Sequence, residues 1–548
     1  LRWRIALLSA LGVAWALLLT TPAVAGAHAT LVSSRPADES RLATAPTEVT
    51  LTFDEAVSLG AEAGQVISST GERADTGRAH LGPDGRTVMI PLRPDLPTGS
   101  YAATWRVVSA DTHVVTGSIV FGIRADPGAL PPRAPAEPTS VTRADQMTHA
   151  VLYAGIVGSA GVSFTILLLW PTMSADRRVR WIVGLSWAAA LVASLAAFVV
   201  RGAATADIGI SHALTADVRH AALHSNHGVV LLVRLVLVVA LGALLPALLR
   251  GGIRRRWALA WIATVTAAIA GTIALDGHAS VGDDIWLAIP VTAAHVLAMT
   301  VWLGGLVSLA VLLVRQRPDG DDAPDPLSAS SLRSWSTLAF SMVATLVLTG
   351  EYQAWRQIRP VQALWSTDYG VTLLIKTGLV SAMLVLAALA RGRLTPATLR
   401  RSVPVEAACG LAVLAVTAVL VGQAPARTTF GPTVTISAPL DERSARVTVT
   451  PTRHGPTTIS VEIIDHRGDP VSVPSVSGTL SSAAREIPSL SVKFVPISRD
   501  SATRRRGPSA FWRSSAASAP LPGKWTLTLT VEFGPARALV TAIDYPVW

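Results

Sequence analysis

Twelve histidines, six methionines and one cysteine are the softer metal-binding side chains available in 548 residues. Cys409 stands alone in an apolar run, so neither an intramolecular disulfide nor a thiolate cluster can form. So few methionines make no thioether-rich Cu(I) site. The histidines are therefore where metal chemistry would lie, and the first of them sits at a processing site. Arg2 and Arg4, an apolar run over residues 5–19 and Ala25-Gly26-Ala27 read as a signal peptide with an A-x-A cleavage site. The run is short for a membrane-spanning helix. Cleavage after Ala27 makes His28 the new N-terminus. A terminal histidine offers its free amine and an imidazole nitrogen to the same metal, a chelate that suits Cu(II).

A second group of polar residues lies within or beside long apolar runs. His278, His295, Glu351, Arg234 and Lys376 belong to it, and Glu406 lies at the start of the last run. A charge at mid-helix in a bilayer costs about 2.5–3.5 kcal/mol on insertion scales, so such residues normally face a partner or a cavity. Imidazole and carboxylate both ligate transition metals, which marks His278, His295 and Glu351 as a candidate membrane metal site. His149 sits at the edge of the first run. The loop before the third adds His212, His220, His224 and His227, the last three at near-helical spacing. His149, His220, His224 and His227 are candidate entry histidines. Arg234 and Lys376 read equally well as side chains whose stems snorkel to the interface. Gly304-Gly305 reads as a helix-packing surface. His80, His454 and His466 read as surface residues.

These residues need elements to hold them, and composition says which. Half the residues are hydrophobic and only 15% are charged, the profile of a membrane protein with soluble parts. Eight apolar runs, at 148–171, 181–200, 228–250, 257–275, 286–314, 335–356, 370–390 and 403–422, are each near or above the roughly 20 residues a bilayer core requires. Backbone groups in lipid must bond internally, so these are helices. Loops after the odd-numbered runs hold clusters such as Arg177, Arg178 and Arg180, or Arg254, Arg255 and Arg256. The opposite loops hold only Arg201, Arg219, Arg356 and Arg359. The positive-inside rule puts the first set in the cytoplasm, and with it both flanking soluble regions outside a bacterial plasma membrane. The same asymmetry accounts for a net charge of +10 without nucleic acid.

Residues 28–126 alternate in short strand-forming stretches: Glu48-Val49-Thr50-Leu51-Thr52-Phe53, Thr87-Val88-Met89-Ile90 and Tyr101 onward to Val108, with Pro and Gly clusters between them. That is the pattern of an all-β, immunoglobulin-like sandwich, with Trp105 in its core. The region resembles the CopC family through His28-Ala29-Thr30-Leu31, Ser34-Arg35-Pro36-Ala37-Asp38, Trp105 through His113, Thr116-Gly117 and Phe121. The resemblance implies a Cu(II) site made by His28, Asp111 and His113. Residues i and i+2 of a strand share a face, so Asp111 and His113 can enter one ligand sphere. Without the resemblance, His113 reads as a surface histidine. Thr112 and Val114 depart from the glycine and proline expected there, but they spare the ligands.

The apolar runs resemble CopD, the membrane partner of CopC, through Asp276-Gly277-His278-Ala279, Ala294-His295 with Trp302-Leu303-Gly304-Gly305, Tyr369-Gly370 with Lys376, and Val405-Glu406 with Gly410. After them, residues 428–548 alternate again and read as a C-terminal β-sandwich, with a flexible basic loop over 498–518. The expected organisation is a signal peptide (1–27), a CopC-like sandwich (28–126), a Pro-rich linker (127–146), a CopD-like bundle of eight transmembrane helices (147–423) and an extracytoplasmic β-rich domain (428–548). The expected function is extracytoplasmic Cu(II) binding coupled to inward copper transfer, with the lipid bilayer and other copper-homeostasis proteins as partners. No nucleotide-binding or phosphorylated-aspartate motif is visible, so movement would draw on a gradient or a partner. No nucleophile–base pair points to catalysis. Two alternatives remain open: bundle histidines holding haem and reducing Cu(II), which a Soret band would reveal, and a copper chaperone for oxidase assembly.

Overall fold

The computed structural model describes residues 29, 31–38, 40–109, 114–127, 139–206, 226–280, 284–314, 328–391, 396–485, 487–497, 509–514, 517–519, 521–534 and 537–548. The N-terminal region contains strands β1 (Leu31–Arg35), β2 (Ser40–Leu42), β3 (Glu48–Phe53), β4 (Val57–Ser68), β5 (His80–Leu81), β6 (Thr87–Pro91), β7 (Gly99–Ser109) and β8 (Val114–Ile123). They form two four-stranded sheets, ordered β1-β3-β6-β5 and β2-β8-β7-β4. Alternation does the sorting. Val49, Leu51 and Phe53 of β3 and Val88 and Ile90 of β6 are buried, as are Ala103, Trp105 and Val107 of β7. Trp105 pairs in register with two glycines, Gly64 on β4 and Gly117 on β8, and its ring lies over Gly117. A Cβ at Gly117 would overlap the indole, which gives the Thr116-Gly117 pair its physical reason. Tyr101 donates its hydroxyl to the Pro97 carbonyl at 2.8 Å and fixes the entry into β7.

Among the described residues, eight helices are long and apolar enough to cross a membrane: Arg143–Leu169, Arg177–Val200, Gly228–Leu249, Arg255–Leu275, Ile285–Val314, Ser330–Gln357, Asp368–Ala388 and Val403–Val421. They are spans one to eight below. Spans one and five are mostly enclosed by protein, whereas few residues of spans six and seven are fully buried. Glycine brings the two enclosed spans together. Gly161 of span one lies against Thr300 and Gly304 of span five so closely that a Cβ on either glycine would overlap the facing span's backbone. One turn further on, Thr165 Oγ1 and Ser308 Oγ are 3.0 Å apart. Gly305 receives the Trp335 ring of span six. The Gly304-Gly305 pair is thus a packing surface on both sides.

The C-terminal region contains β9 (Val434–Leu440), β10 (Arg443–Thr450), β11 (Gly455–Ile464), β12 (Ser475–Ser482), β13 (Ile487–Pro496), β14 (Phe511–Ser514), β15 (Ala517–Ala519), β16 (Gly523–Gly534) and β17 (Arg537–Val547). Instead of two separate sheets, they make one continuous sheet, β17-β16-β12-β13-β14-β11-β10-β9, with β15 paired to β11. Its end strands β17 and β9 pack against each other, so the sheet is rolled almost into a barrel. Trp525, Leu527, Leu529 and Val531 alternate along β16 into its core. The basic stretch expected to be loop, 498–518, contains β14 and the start of β15, because Trp512 is an apolar residue that this core buries.

Arg234 of span three is 2% exposed and does not snorkel. Its guanidinium donates to Asp276 Oδ2 at 3.0 Å, to the Thr272 carbonyl at 2.9 Å and to Thr272 Oγ1 at 3.1 Å, tying span three to the end of span four. Removing one partner of such a pair leaves an uncompensated buried charge, at a cost of about 3–5 kcal/mol. Asp276→Ala should therefore lower the thermal unfolding temperature of the detergent-solubilised protein markedly. A double Arg234→Met, Asp276→Leu variant should recover most of that loss. Equal losses in both variants would show that the pair does not carry the packing.

Candidate functional site

The residues expected to bind metal fall into two groups, and the structure describes them unequally. His28, Asp111 and His113 lie outside the described residues, as do His220 and His224; the side chain of His227 does too, although its backbone lies in the helix Asn226–Leu249 just before span three. β7 and β8 pair antiparallel as far as Val108↔Val114, and Asp111 and His113 fall between these two strands in the sequence. Ala29, which follows His28, is 2% exposed. His80, in contrast, is exposed on the short strand β5, opposite Met89 of β6.

The bundle residues can be placed individually. His295 lies on span five, ten residues into it, or about 15 Å along the axis. Its Nδ1 is 2.8 Å from Thr349 Oγ1 of span six. Thr349 spends its own hydroxyl proton on the Thr345 carbonyl, so it can only accept from the imidazole. That assigns the proton to Nδ1 and leaves the lone pair on Nε2, the arrangement in which one imidazole nitrogen is oriented by a partner and the other is available to a metal or a proton. Gly350, next to Thr349, gives the ring its room: a Cβ there would lie 3.3 Å from His295 Cε1. Lys376 of span seven is within electrostatic range of His295.

Glu351 follows Thr349 by two positions, about 200° around the helix, so it projects away from His295. Both of its carboxylate oxygens are buried and make no hydrogen bond among the described residues. His278 opens a short helical turn, His278–Ser280, between spans four and five, where Ala279 packs with Ala274, Ala288 and Tyr352. His149 places Nδ1 2.9 Å from the Asp145 carbonyl and packs its ring near Tyr153. Tyr153 in turn lies within electrostatic range of Arg234 and Asp276. Thus His278, His295 and Glu351 have separate surroundings. Among the described residues, no three His, Cys, Asp or Glu side chains are arranged to hold a metal ion together.

Sequence reading missed the framework around His278. Arg356 had counted only as a loop arginine, yet it is the last-turn residue of the sixth helix and is 6% exposed. It donates to Asp284 through Nε (3.1 and 3.0 Å) and NH2 (2.7 Å), and to the His278 carbonyl through NH1 (3.1 Å). Tyr352, one turn back, donates to the same carboxylate at 2.5 Å. Burial works against ionisation of Asp284, but the hydrogen bonds from Arg356 and Tyr352 outweigh it and hold the carboxyl below the usual carboxylate range. A group with a depressed pKa in the folded state contributes stability above its unfolded value and loses it as pH falls through the folded one. The clamp is therefore intact at neutral pH and is lost only in acid. Together with Arg234 on Asp276, it grips the segment carrying His278 at both ends. The available signal was spacing: Tyr352 and Arg356 are four residues apart, and Asp284 stands immediately before an apolar run.

Comparison with known proteins adds the identity of the parts. The CopC domain model matches residues 31–124, and the model described as copper resistance protein D matches residues 329–420, which takes in spans six to eight. The copper transport protein CutJ of Bacillus subtilis (strain 168) is 28% identical over 465 residues, spanning 83% of this chain and 85% of that protein. Copper resistance protein C of Pseudomonas syringae pv. tomato is 34% identical over 112 residues, which is 19% of this chain and 85% of that protein. Among solved structures, CopC from Methylosinus trichosporium OB3b is 29% identical, with 19% of this chain and 99% of that one covered, at a TM-score of 0.17. The chain therefore belongs to the CopC/CopD copper resistance and transport family, with a CopC domain and a multi-pass CopD region on one polypeptide.

Proposed function

We propose that the chain binds Cu(II) outside the plasma membrane through His28, Asp111 and His113 and passes copper inward through the bundle, with His278 and His295 as successive stations. The observation that carries the membrane half is the Nδ1–Thr349 hydrogen bond of His295. It leaves an oriented, unprotonated Nε2 well inside a span, too deep for an interfacial residue. The nearby Lys376 charge opposes a resident cation, which suits a station that copper leaves as readily as it enters. Glu351, with two buried oxygens and no hydrogen bond among the described residues, is a further candidate ligand or counter-charge along the way. His149, His220, His224 and His227 are the proposed entry histidines at the arginine-poor end. The outer half rests on the family resemblance and on the amine-plus-imidazole chelate that a terminal His28 would make.

The arginine-rich loops support an orientation with both β-rich regions outside. Reporter fusions after residue 126 and at residue 548 should both report export, and a cytoplasmic signal from either would break this topology.

The terminal chelate requires the free amine of His28. A fragment beginning at His28 should bind Cu(II) far more tightly than one beginning at Ala27. His113→Ala should weaken binding sharply, because no spare ligand replaces the lost imidazole, while the exposed His80→Ala should be nearly silent. Equal Cu(II) affinity with and without the extra residue, measured by competition with a chromophoric chelator, would rule the chelate out.

For the membrane half, His295→Ala should abolish copper-dependent accumulation or tolerance in cells while the 28–126 region still binds Cu(II). Membrane protein level should be checked by blot. Normal insertion with unaltered cellular copper would make His295 a packing residue.

A further inference from the structure

The arginine-rich end of spans three and four carries a feature that copper handling does not use. Leu244 and Leu248 of span three, Ile253 of the turn, and Trp257, Trp261 and Thr264 of span four line an open groove of about 360 Å³. Its lining is almost wholly apolar. Trp257 is 61% exposed at its edge, and the Arg256 guanidinium stands over that ring at 5.4 Å. Arg250, Arg254 and Arg256 are exposed around the turn. Arg255 is not part of this set, because it is committed to the Leu167 and Leu168 carbonyls at 2.6 and 2.5 Å. No acidic residue occurs from Asn226 to Leu275 to answer the three exposed charges. The nearest acidic residue in the neighbouring span one–two turn, Asp176, already caps span two by accepting from the Arg178 amide at 2.8 Å. The Trp261 indole N–H is buried and makes no hydrogen bond among the described residues.

We propose that this groove binds an anionic phospholipid. One acyl chain would lie along Leu244, Leu248 and Trp261, and the phosphate would sit among Arg250, Arg254 and Arg256. Each part of that ligand meets its complement. The groove is formed by two helices long and apolar enough to cross a membrane, where the apolar occupant would be hydrocarbon, and its volume is within the roughly 300–1,000 Å³ of ordinary ligand pockets. A glycerol ester carbonyl can accept from the Trp261 N–H. Three guanidinium groups with no carboxylate partner among the described residues, beside an interfacial tryptophan, select a negative headgroup over a zwitterionic one. The site requires neither the copper ligands nor the orientation proposed above, so it stands or falls independently of them.

The test is native mass spectrometry of the full delipidated chain in mild detergent, titrated with dioleoyl phosphatidylglycerol and separately with dioleoyl phosphatidylcholine. Wild type should retain phosphatidylglycerol about tenfold more tightly. Combined Arg250→Gln, Arg254→Gln and Arg256→Gln substitutions, all at exposed positions, should erase that preference and leave phosphatidylcholine binding unchanged. Ala260→Trp, which fills the groove, should weaken both lipids. Glycerol 3-phosphate at the same concentration should fail to displace phosphatidylglycerol, because the acyl chain supplies part of the affinity. Equal retention of the two lipids by wild type, a preference that survives the triple substitution, or displacement by glycerol 3-phosphate would each overturn the proposal.

Discussion

Two arginines inside the bundle, Arg234 and Arg356, are each closed onto an aspartate, and the arginine-poor end of the bundle is organised by those closures. An unanswered charge in a span is penalised by about 2.5–3.5 kcal/mol even on lenient scales. Arg234 avoids that penalty through Asp276 and Thr272 at the end of span four, and Arg356 through Asp284, Tyr352 and the His278 carbonyl. Both aspartates border the connection between spans four and five. The same pairs that neutralise spans three and six therefore fix where His278 is presented. Loops ordinarily move more than the elements they join. This one is anchored from two helices that are not its neighbours in sequence.

Deeper in the bundle, polarity is handled differently. Spans one and five approach through Gly161 and Gly304, and their hydroxyls turn back onto their own helices: Ser159 to Gly155, Ser163 to Ser159, Thr300 to Val296 and Ser308 to Gly304. These hydroxyls are satisfied within the bundle, with Ser308 also 3.0 Å from Thr165 Oγ1 across the two spans. His295 and Thr349 are the contrast. Thr349 also bonds back along its helix, but that bond orients its oxygen as an acceptor and commits the imidazole proton. A histidine whose tautomer is fixed this way differs from one that merely fills space, and this difference, more than its depth, distinguishes His295 from the packing residues around it.

Much of the architecture was legible in the sequence. Period-two alternation located β3 at Glu48–Phe53 and the long β16 strand, because a half-buried strand shows itself within six residues. The eight spans were legible because length and hydropathy suffice in a bilayer. What local pattern could not supply was closure. Alternation says that a strand has an inner face but not whether the sheet facing it is a second one or its own far end, and the C-terminal region rolls β17 back to β9. Pairing of charges was hidden for a similar reason. Arg234 and Asp276 are 42 residues apart, and Arg356 and Asp284 are 72 apart, so nothing local joined them. The one local hint, Tyr352 four residues before Arg356, becomes informative only when Asp284 is placed opposite.

The central claim is that copper captured outside is handed through the bundle by way of His295. Purified full-length chain in sealed liposomes, supplied with external Cu(II), tests it most directly through the copper recovered from the lumen after external metal is chelated. The account predicts lumenal copper that rises with time, falls to the protein-free level in His295→Ala, and falls with His113→Ala at limiting copper. Copper that stays bound to the protein in fixed proportion and never reaches the lumen, or lumenal uptake that His295→Ala leaves intact, would contradict it.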